Sequence, residues 1–263
     1  MEQLRDKVAV VTGAASGIGA ALVERLTAEG MRVVGADVEP ADGIVRTDVS
    51  NYDDVAALAD HAYRTHGRVD VLCNNAGVFA GGLMWERPAS DFTWTLDVNL
   101  WGILNAVRAF VPRMIAAGSD AHIVNTVSMA GVCTNAFSGP YTISKFAALA
   151  ATECLAHDLR ATGAPIKVSA VVPGSVATRI GESSRNRPSS LAADRSDDAA
   201  FVEQTLRDFT AQCAPPDEVA AMIVDAIKTD TFLVPTRPSY AALLRERADA
   251  LVARQLPPMP TFD

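Results

Sequence analysis

The sequence predicts an α/β fold, a single domain built on one parallel sheet with helices on both faces. Short apolar runs rich in β-branched residues alternate with longer segments of helical periodicity along the whole chain. A glycine-rich turn separates the first apolar run from the first helical segment. Of the 263 residues, 49% are hydrophobic and only 6% aromatic, which supplies one large aliphatic core at a length that one α/β domain fills.

Residues 7–12, KVAVVT, form a nearly continuous apolar run, as a strand buried on both faces requires. GAASGIG at 13–19 follows, then a helical pattern, AALVERLTAEG, stopped by Gly30. A glycine turn between strand and helix lets a diphosphate approach the backbone and meet the helix N-terminus. The spacing here is GxxxGxG. The second strand, MRVVGAD at 31–37, ends on Asp37, about 20 residues after the turn. A carboxylate there accepts hydrogen bonds from adenosine ribose hydroxyls and repels a 2′-phosphate. Val38 supplies no arginine to offset that repulsion, so the expected cofactor is NAD, not NADP.

Only eleven positions separate Asp37 from Asp48, too few for a crossover helix and a third strand. IVRTDV must be that strand, with the helix reduced to a turn around 40–43. NYDDVAALADHAYRTHG reads as a helix capped by Asn51 or Ser50 and stopped by Gly67. VDVLCNNAG is a fourth strand ending in a polar, then glycine turn at 74–77. From 91 to 117, Leu96, Leu100, Leu104, Val107 and Val111 recur at three- and four-residue steps, the pattern of one long helix. Asn99 lies within it, where an asparagine is ordinarily a solvent-facing residue or a packing defect.

HIVNTVS is the fifth strand, ending on Ser128, and the stretch 128–145 carries the chemistry. Pro140 suits a helix start, with Ser138 or Gly139 as the cap before it. Tyr141 and Lys145 then stand four apart on one helix face. A free tyrosine titrates near ~10, and a lysine cation one turn away stabilises the phenolate. The Ser128 hydroxyl can hold the same substrate oxygen. Together they make a proton donor and acceptor for a carbonyl or an alcohol. Taken alone, Tyr141 and Lys145 read first as an ordinary amphipathic pair, and it is the rest of the chain that favours chemistry.

PIKVSAVVPG is the sixth strand, PDEVAAMIVDAIKT a helix, TFLVPT the last strand and SYAALLRERADALVARQL a terminal helix, followed by a flexible or docking tail within 238–263. The polar insertion 175–216 lacks a strand and stands where ligand lids belong. Arg179, Arg185, Arg187 and Arg195 could meet an anionic substrate. Asp194, Asp197 and Asp198 partly cancel them, so the favoured reading is a solvated mobile loop.

The net charge of −8 argues against nucleic-acid or anionic-membrane partners. Cys73, Cys133, Cys154 and Cys213 are scattered without CxxC pairs or a histidine cluster, so neither a disulfide frame nor a metal site is expected. No signal peptide or membrane span is visible, and the expected location is the cytoplasm.

These motifs resemble the short-chain dehydrogenase/reductase family over residues 7–236. They are TGAASGIG at 12–19, NNAG at 74–77, PGSVAT at 173–178, and the set Asn99, Ser128, Tyr141 and Lys145. The resemblance implies a Rossmann-like, doubly wound sheet of seven parallel strands. It implies that Tyr141 is the general acid/base, that Lys145 holds the nicotinamide ribose and lowers the tyrosine pKa, and that Ser128 orients the substrate. Asn99 would bend its helix and anchor a water. Gly13, Ser16, Gly17, Ile18 and Gly19 would hold the diphosphate, and Asp48 and Val49 the adenine. Asn75, Ala76 and Gly77 would wall the adenosine ribose. Pro173, Gly174, Val176 and Thr178 would bind the cofactor, with Thr178 on the nicotinamide carboxamide. Val127 stands where many relatives carry a second serine.

Relatives often assemble as tetramers through the helices bearing Asn99 and Tyr141, so a homotetramer is the favoured assembly and a dimer the other. The expected activity is NAD-dependent interconversion of a secondary alcohol and a ketone. The rivals are an NADPH-dependent reductase and a non-catalytic NAD-binding scaffold. Pocket walls are expected from 79–83, 130–138, Ser175 and the lid. Met129, Cys133 and Phe137 would make the pocket apolar, which suits an alicyclic, steroid-like or terpenoid-like substrate.

Overall fold

The computed structural model describes residues 1–192 and 196–260. Asp194 and Arg195 of the insertion and the end of the tail at 261–263 lie outside the described residues. Seven parallel strands run in the order β3-β2-β1-β4-β5-β6-β7. They are β1 (Val8–Thr12), β2 (Arg32–Asp37), β3 (Ile44–Arg46), β4 (Val71–Asn74), β5 (Ala121–Thr126), β6 (Ile166–Val172) and β7 (Leu233–Pro235).

The sheet has a core on each face because its central strands alternate between them. Val8 and Val10 of β1 pack into one cluster, Ala9 and Val11 into the other. Helices α2 (Tyr52–His66), α4 (Gly102–Ala117) and α5 (Gly139–Ala161) cover the first face, around the fully buried Phe110, Leu72 and Ile123. Helices α1 (Gly17–Ala28) and α7 (Pro216–Thr229) cover the second, where Leu22, Leu26, Ile223 and Ile227 lie fully buried. Each such side chain contributes about 1.5–3 kcal/mol by leaving water. The α2 boundaries follow the sequence reading: Asn51 accepts the Asp53 amide at 2.8 Å, and Gly67 ends the helix at φ +76°.

The missing crossover helix is borne out. β3 is three residues long and pairs only with the last three of β2, from Gly35↔Ile44 to Asp37↔Arg46. The chain therefore retreats only about 10 Å, against the dozen or more residues a full parallel crossover takes. Residues 38–43 cover that distance with a turn closed by the Ile44 amide on Ala41 O at 3.1 Å.

Two expectations need correction. The helix read through 91–117 is not continuous: α3 (Ala89–Leu96) passes through a π-helical turn, Asp97–Trp101, before α4. The buried Asn99 explains the turn. Its Oδ1 accepts the Val78 amide at 2.8 Å, and its Nδ2 donates to Val78 O at 2.9 Å and Ser144 Oγ at 2.8 Å. The extra residue of a π turn aims that side chain inward.

The second correction concerns 175–216, which is largely helical. It holds 3-10 turns at Arg179–Asn186 and Ser189–Leu191, and α6 (Asp197–Thr210). Several of its charges pair with the body of the protein, while Arg179 also pairs with Glu182 inside the segment. Asp198 takes Arg87 at 2.8 Å and the Leu83 amide at 2.7 Å, and Arg187 takes Asp91 at 2.5 Å. The C-terminal helix, α8 (Tyr240–Val252), packs Leu243 against Met129, Val132 and Cys133.

Candidate active site

The strand order reverses between β1 and β4, and the loops leaving the strand ends diverge there into a crevice. A cavity of about 340 Å³ occupies it. At one end lies the turn between β1 and α1. Gly13 and Gly17 take φ of +68° and +56°, and a Cβ on Gly13 would stand 2.8 Å from Ala76 Cα, so the turn requires glycine there. No side chain caps α1 at Ser16, and its first turn holds no acidic residue. The N–H groups that begin α1 thus face the cavity beside Ser16, Gly17 and Ile18. This cradle fits a diphosphate.

Asp37 lines the same end. Its two oxygens accept the Ala15 and Glu39 amides, each at 2.9 Å, which fixes the carboxylate yet leaves a lone pair on each oxygen. Asp48 and Val49 line the wall next to it, Asp48 bound to Ser50 Oγ at 2.6 Å. Asn75 is tied down by Thr12: its amide reaches Thr12 Oγ1 at 3.0 Å and its Nδ2 reaches Thr12 O at 3.2 Å.

At the other end Tyr141 and Lys145 leave the first turns of α5, one turn apart. The Tyr141 ring tilts against Phe79 at 5.1 Å between centroids. Lys145 Nζ lies 5.7 Å from the tyrosine ring centroid and donates to Thr126 O at 3.0 Å. That bond uses one of three ammonium protons, and Lys145 lines the cavity. Ser128 follows β5, its Oγ accepting the Ala130 amide at 3.1 Å. Gly77 closes this corner: a Cβ on it would come within 3.3 Å of Asn99 Oδ1 and 3.4 Å of Lys145 Nζ.

The electrostatics differ from the sequence expectation. Burial raises the Tyr141 phenol above its ordinary value, and the Ser128 hydroxyl pulls it partly back. Burial pushes Lys145 itself down to about 8, so its charge is held weakly until something anionic or hydrogen-bonding joins it.

Gly13, Ser16, Gly17, Ile18, Asp37, Asp48, Val49, Asn75, Ala76 and Gly77 all line the cavity. So do Ser128, Tyr141, Lys145, Pro173, Gly174, Val176 and Thr178. Gly19 and Asn99 lie behind the lining. A Cβ on Gly19 would stand 2.0 Å from Gly13 O, so its place is set by helix packing against the turn. Phe137 is also outside: it is half exposed, and its carbonyl accepts the Gly82 amide at 2.7 Å. The apolar end is lined by Phe79, Trp94, Met129, Cys133, Leu191 and Leu206.

The short chain dehydrogenase family profile matches residues 7–189. The chain belongs to this family. As a short-chain dehydrogenase it is an oxidoreductase acting on CH–OH groups. It is 34% identical to a 1-deoxy-11-beta-hydroxypentalenate dehydrogenase of Streptomyces exfoliatus, over 94% of this chain and 88% of that one. It is 29% identical to a CLA biosynthesis dehydrogenase/reductase of Lactiplantibacillus plantarum, over 100% of this chain and 99% of that one. A short-chain dehydrogenase/reductase from Burkholderia phymatum, crystallised in complex with NAD, superposes with a TM-score of 0.95 at 37% identity, covering 100% of both chains.

Three participants in this dehydrogenase's site escaped sequence reading. Thr12 anchors Asn75, Ser144 holds Asn99, and Ser183 Oγ accepts the Phe79 amide at 3.0 Å. Ser144 carried one usable signal, its place three residues after Tyr141 on the same helix. Thr12 carried another, as the first residue of TGAASGIG, and Ser183 carried none, because its partner is remote in sequence. No described helix is long and apolar enough to cross a membrane.

Proposed function

We propose that the chain is an NAD-dependent dehydrogenase that interconverts a secondary alcohol and a ketone, with Tyr141 as general acid/base. One observation carries this reading: Tyr141, Ser128 and Lys145 meet on the wall of a cavity whose far end presents the glycine turn and Asp37. Bound NAD supplies the hydride acceptor at its nicotinamide. The chain does the rest. In oxidation the Ser128 hydroxyl binds the substrate oxygen and the Tyr141 phenolate takes its proton. Lys145 stabilises the phenolate and holds the nicotinamide ribose hydroxyls. Asn99 keeps the 77–78 turn and Ser144 fixed behind Lys145. Pro173, Gly174, Val176 and Thr178 border the nicotinamide. Phe79, Trp94 and Met129 exclude water from the reacting carbon.

Asp37 supports NAD over NADPH, since a fixed carboxylate accepts ribose hydroxyls and repels a 2′-phosphate. The NAD complex of the Burkholderia relative supports the same choice. The apolar lining and the hydroxypentalenate relative support an alicyclic, terpenoid-like or steroid-like alcohol. Residues 175–216 serve as the substrate lid. The exposed Trp101 and Ile143, near Asn99 and Tyr141, support a homotetramer formed through those helices. The four free cysteines suit the reducing cytoplasm.

The test is a fluorescence titration of NADH and NADPH against wild type and Asp37→Ala. Preference for NADH that relaxes in the variant supports the reading. Equal or tighter NADPH binding by wild type overturns the cofactor choice.

A further inference from the structure

The shortened connection after Asp37 and the arginines of the 175–216 segment meet at one residue. Glu39 lies in the six-residue link between β2 and β3, its amide bound to Asp37 Oδ1 at 2.9 Å. Its side chain crosses to the 3-10 turn Arg179–Asn186. Oε1 takes Arg185 Nε at 2.5 Å and Oε2 takes Arg179 Nη1 at 3.3 Å. Asn186 adds a hydrogen bond to the same carboxylate, and this neighbourhood holds Glu39 below the usual carboxylate range although burial acts the other way. Arg185 is itself fixed, its Nη1 donating to Arg179 O and Glu182 O, both at 3.0 Å.

Arg179, Arg185 and Asn186 line the cavity at the end that Asp37 occupies. The turn they belong to starts at Thr178, which touches the phosphate turn: a Cβ on Gly17 would stand 3.0 Å from Thr178 Cγ2. The segment therefore passes over the crevice from the glycine turn to the β2–β3 link, and Glu39 fastens its far end. A crossover helix in place of residues 38–43 would move the backbone that brings Glu39 there.

We propose that Glu39 is a positioning residue for the dinucleotide, acting through Arg185 and Arg179. It clasps the 179–186 turn across the adenosine end of the cleft and sets the rate at which NAD(H) enters and leaves. This rests on the NAD reading above. An isolated exposed ion pair does little, but here three donors converge on one carboxylate whose side chain is only 23% exposed, facing an Arg185 that is 25% exposed.

The experiment compares wild type and Glu39→Gln. In the cofactor-free protein, Glu39→Gln is expected to speed amide hydrogen exchange across 179–187 without shifting the thermal midpoint. Stopped-flow release of NADH is expected to accelerate about three- to tenfold, with KM for NAD rising and kcat not falling. Wild-type release should quicken with added salt and release from Glu39→Gln should not. Unchanged exchange and unchanged NADH release in Glu39→Gln overturn the clasp. Faster exchange in a protein that binds NADPH but not NADH would leave the clasp standing and sink the choice of NAD instead.

Discussion

At the scale of single residues, Tyr141 sits where burial opposes the charge its proposed chemistry needs, and Ser128 relieves only part of that. The buried Lys145, held near 8, is the natural counterweight once cofactor hydroxyls join it. Replacing Ser128 by Ala removes the one hydroxyl that offsets burial and that the proposed mechanism sets on the substrate oxygen. We expect kcat/KM for alcohol oxidation to fall by about 10²-fold or more, with NADH affinity unchanged by fluorescence. Gly19 makes the opposite kind of case. Its Cβ would meet Gly13 O at 2.0 Å, so Gly19→Ala should destabilise the fold by more than about 2 kcal/mol in urea titration, because backbone must move. The sequence placed Tyr141, Lys145 and Asp37 correctly in the cavity because each is fixed by its own helix or strand. It set Gly19 beside the diphosphate because a motif gives spacing, whereas only the fold tells a lining glycine from a packing one.

Among the elements, the 175–216 segment owes its order to remote ion pairs. Asp91 is 5% exposed and faces both Arg187 and Arg87. Removing it takes the carboxylate from the shielded Arg187, while Arg87 keeps Asp198. Asp91→Ala should cost about 3–5 kcal/mol, read from a denaturant midpoint, and raise hydrogen exchange in α6. Periodicity could not show this, since each partner lies on a different element, so the segment read as a solvated loop. The π turn at Asn99 was hidden for the same reason: the Val78 backbone that draws the side chain inward is 21 residues away.

His122 at the start of β5 shares the pattern. Ser169 Oγ donates to Thr231 O at 2.6 Å, so His122 Nε2 donates to Ser169 at 2.8 Å, leaving Nδ1 unprotonated 3.7 Å from Asp230. Burial pushes this imidazole down to about 4 from 6.5. The unfolded chain therefore binds the proton first. Stability from this group is whole above pH 6.5 and falls as pH drops toward 4, by about 2–3 kcal/mol. Thermal midpoints measured against pH should decline across that window in wild type and decline less in His122→Gln.

The whole molecule supplies what no element has alone. Reversal of strand order between β1 and β4 brings the ends of five strands, Gly13, Asp37, Asn75, Ser128 and Pro173 among them, around one crevice. Its architecture was legible because each buried strand is short, β-branched and bounded by a turn or a capped helix. The missing crossover was legible from chain length alone. The pairing of Glu39 with Arg179 and Arg185 was not, since it exists only after the sheet forms. If the exposed faces near Asn99 and Tyr141 build a homotetramer, light scattering should return about four times the 27.8 kDa chain mass, and a monomer would refute that assembly.

The central claim is that this crevice oxidises an alcohol with NAD through Tyr141. The measurement that tests it most directly is NADH formation from a panel of alicyclic secondary alcohols by wild type and Tyr141→Phe, with NADH binding measured on both. The account expects wild-type turnover, a loss of about 10²- to 10⁴-fold in kcat/KM for the variant, and equal NADH affinity. A variant that binds NADH and turns over at the wild-type rate would contradict it.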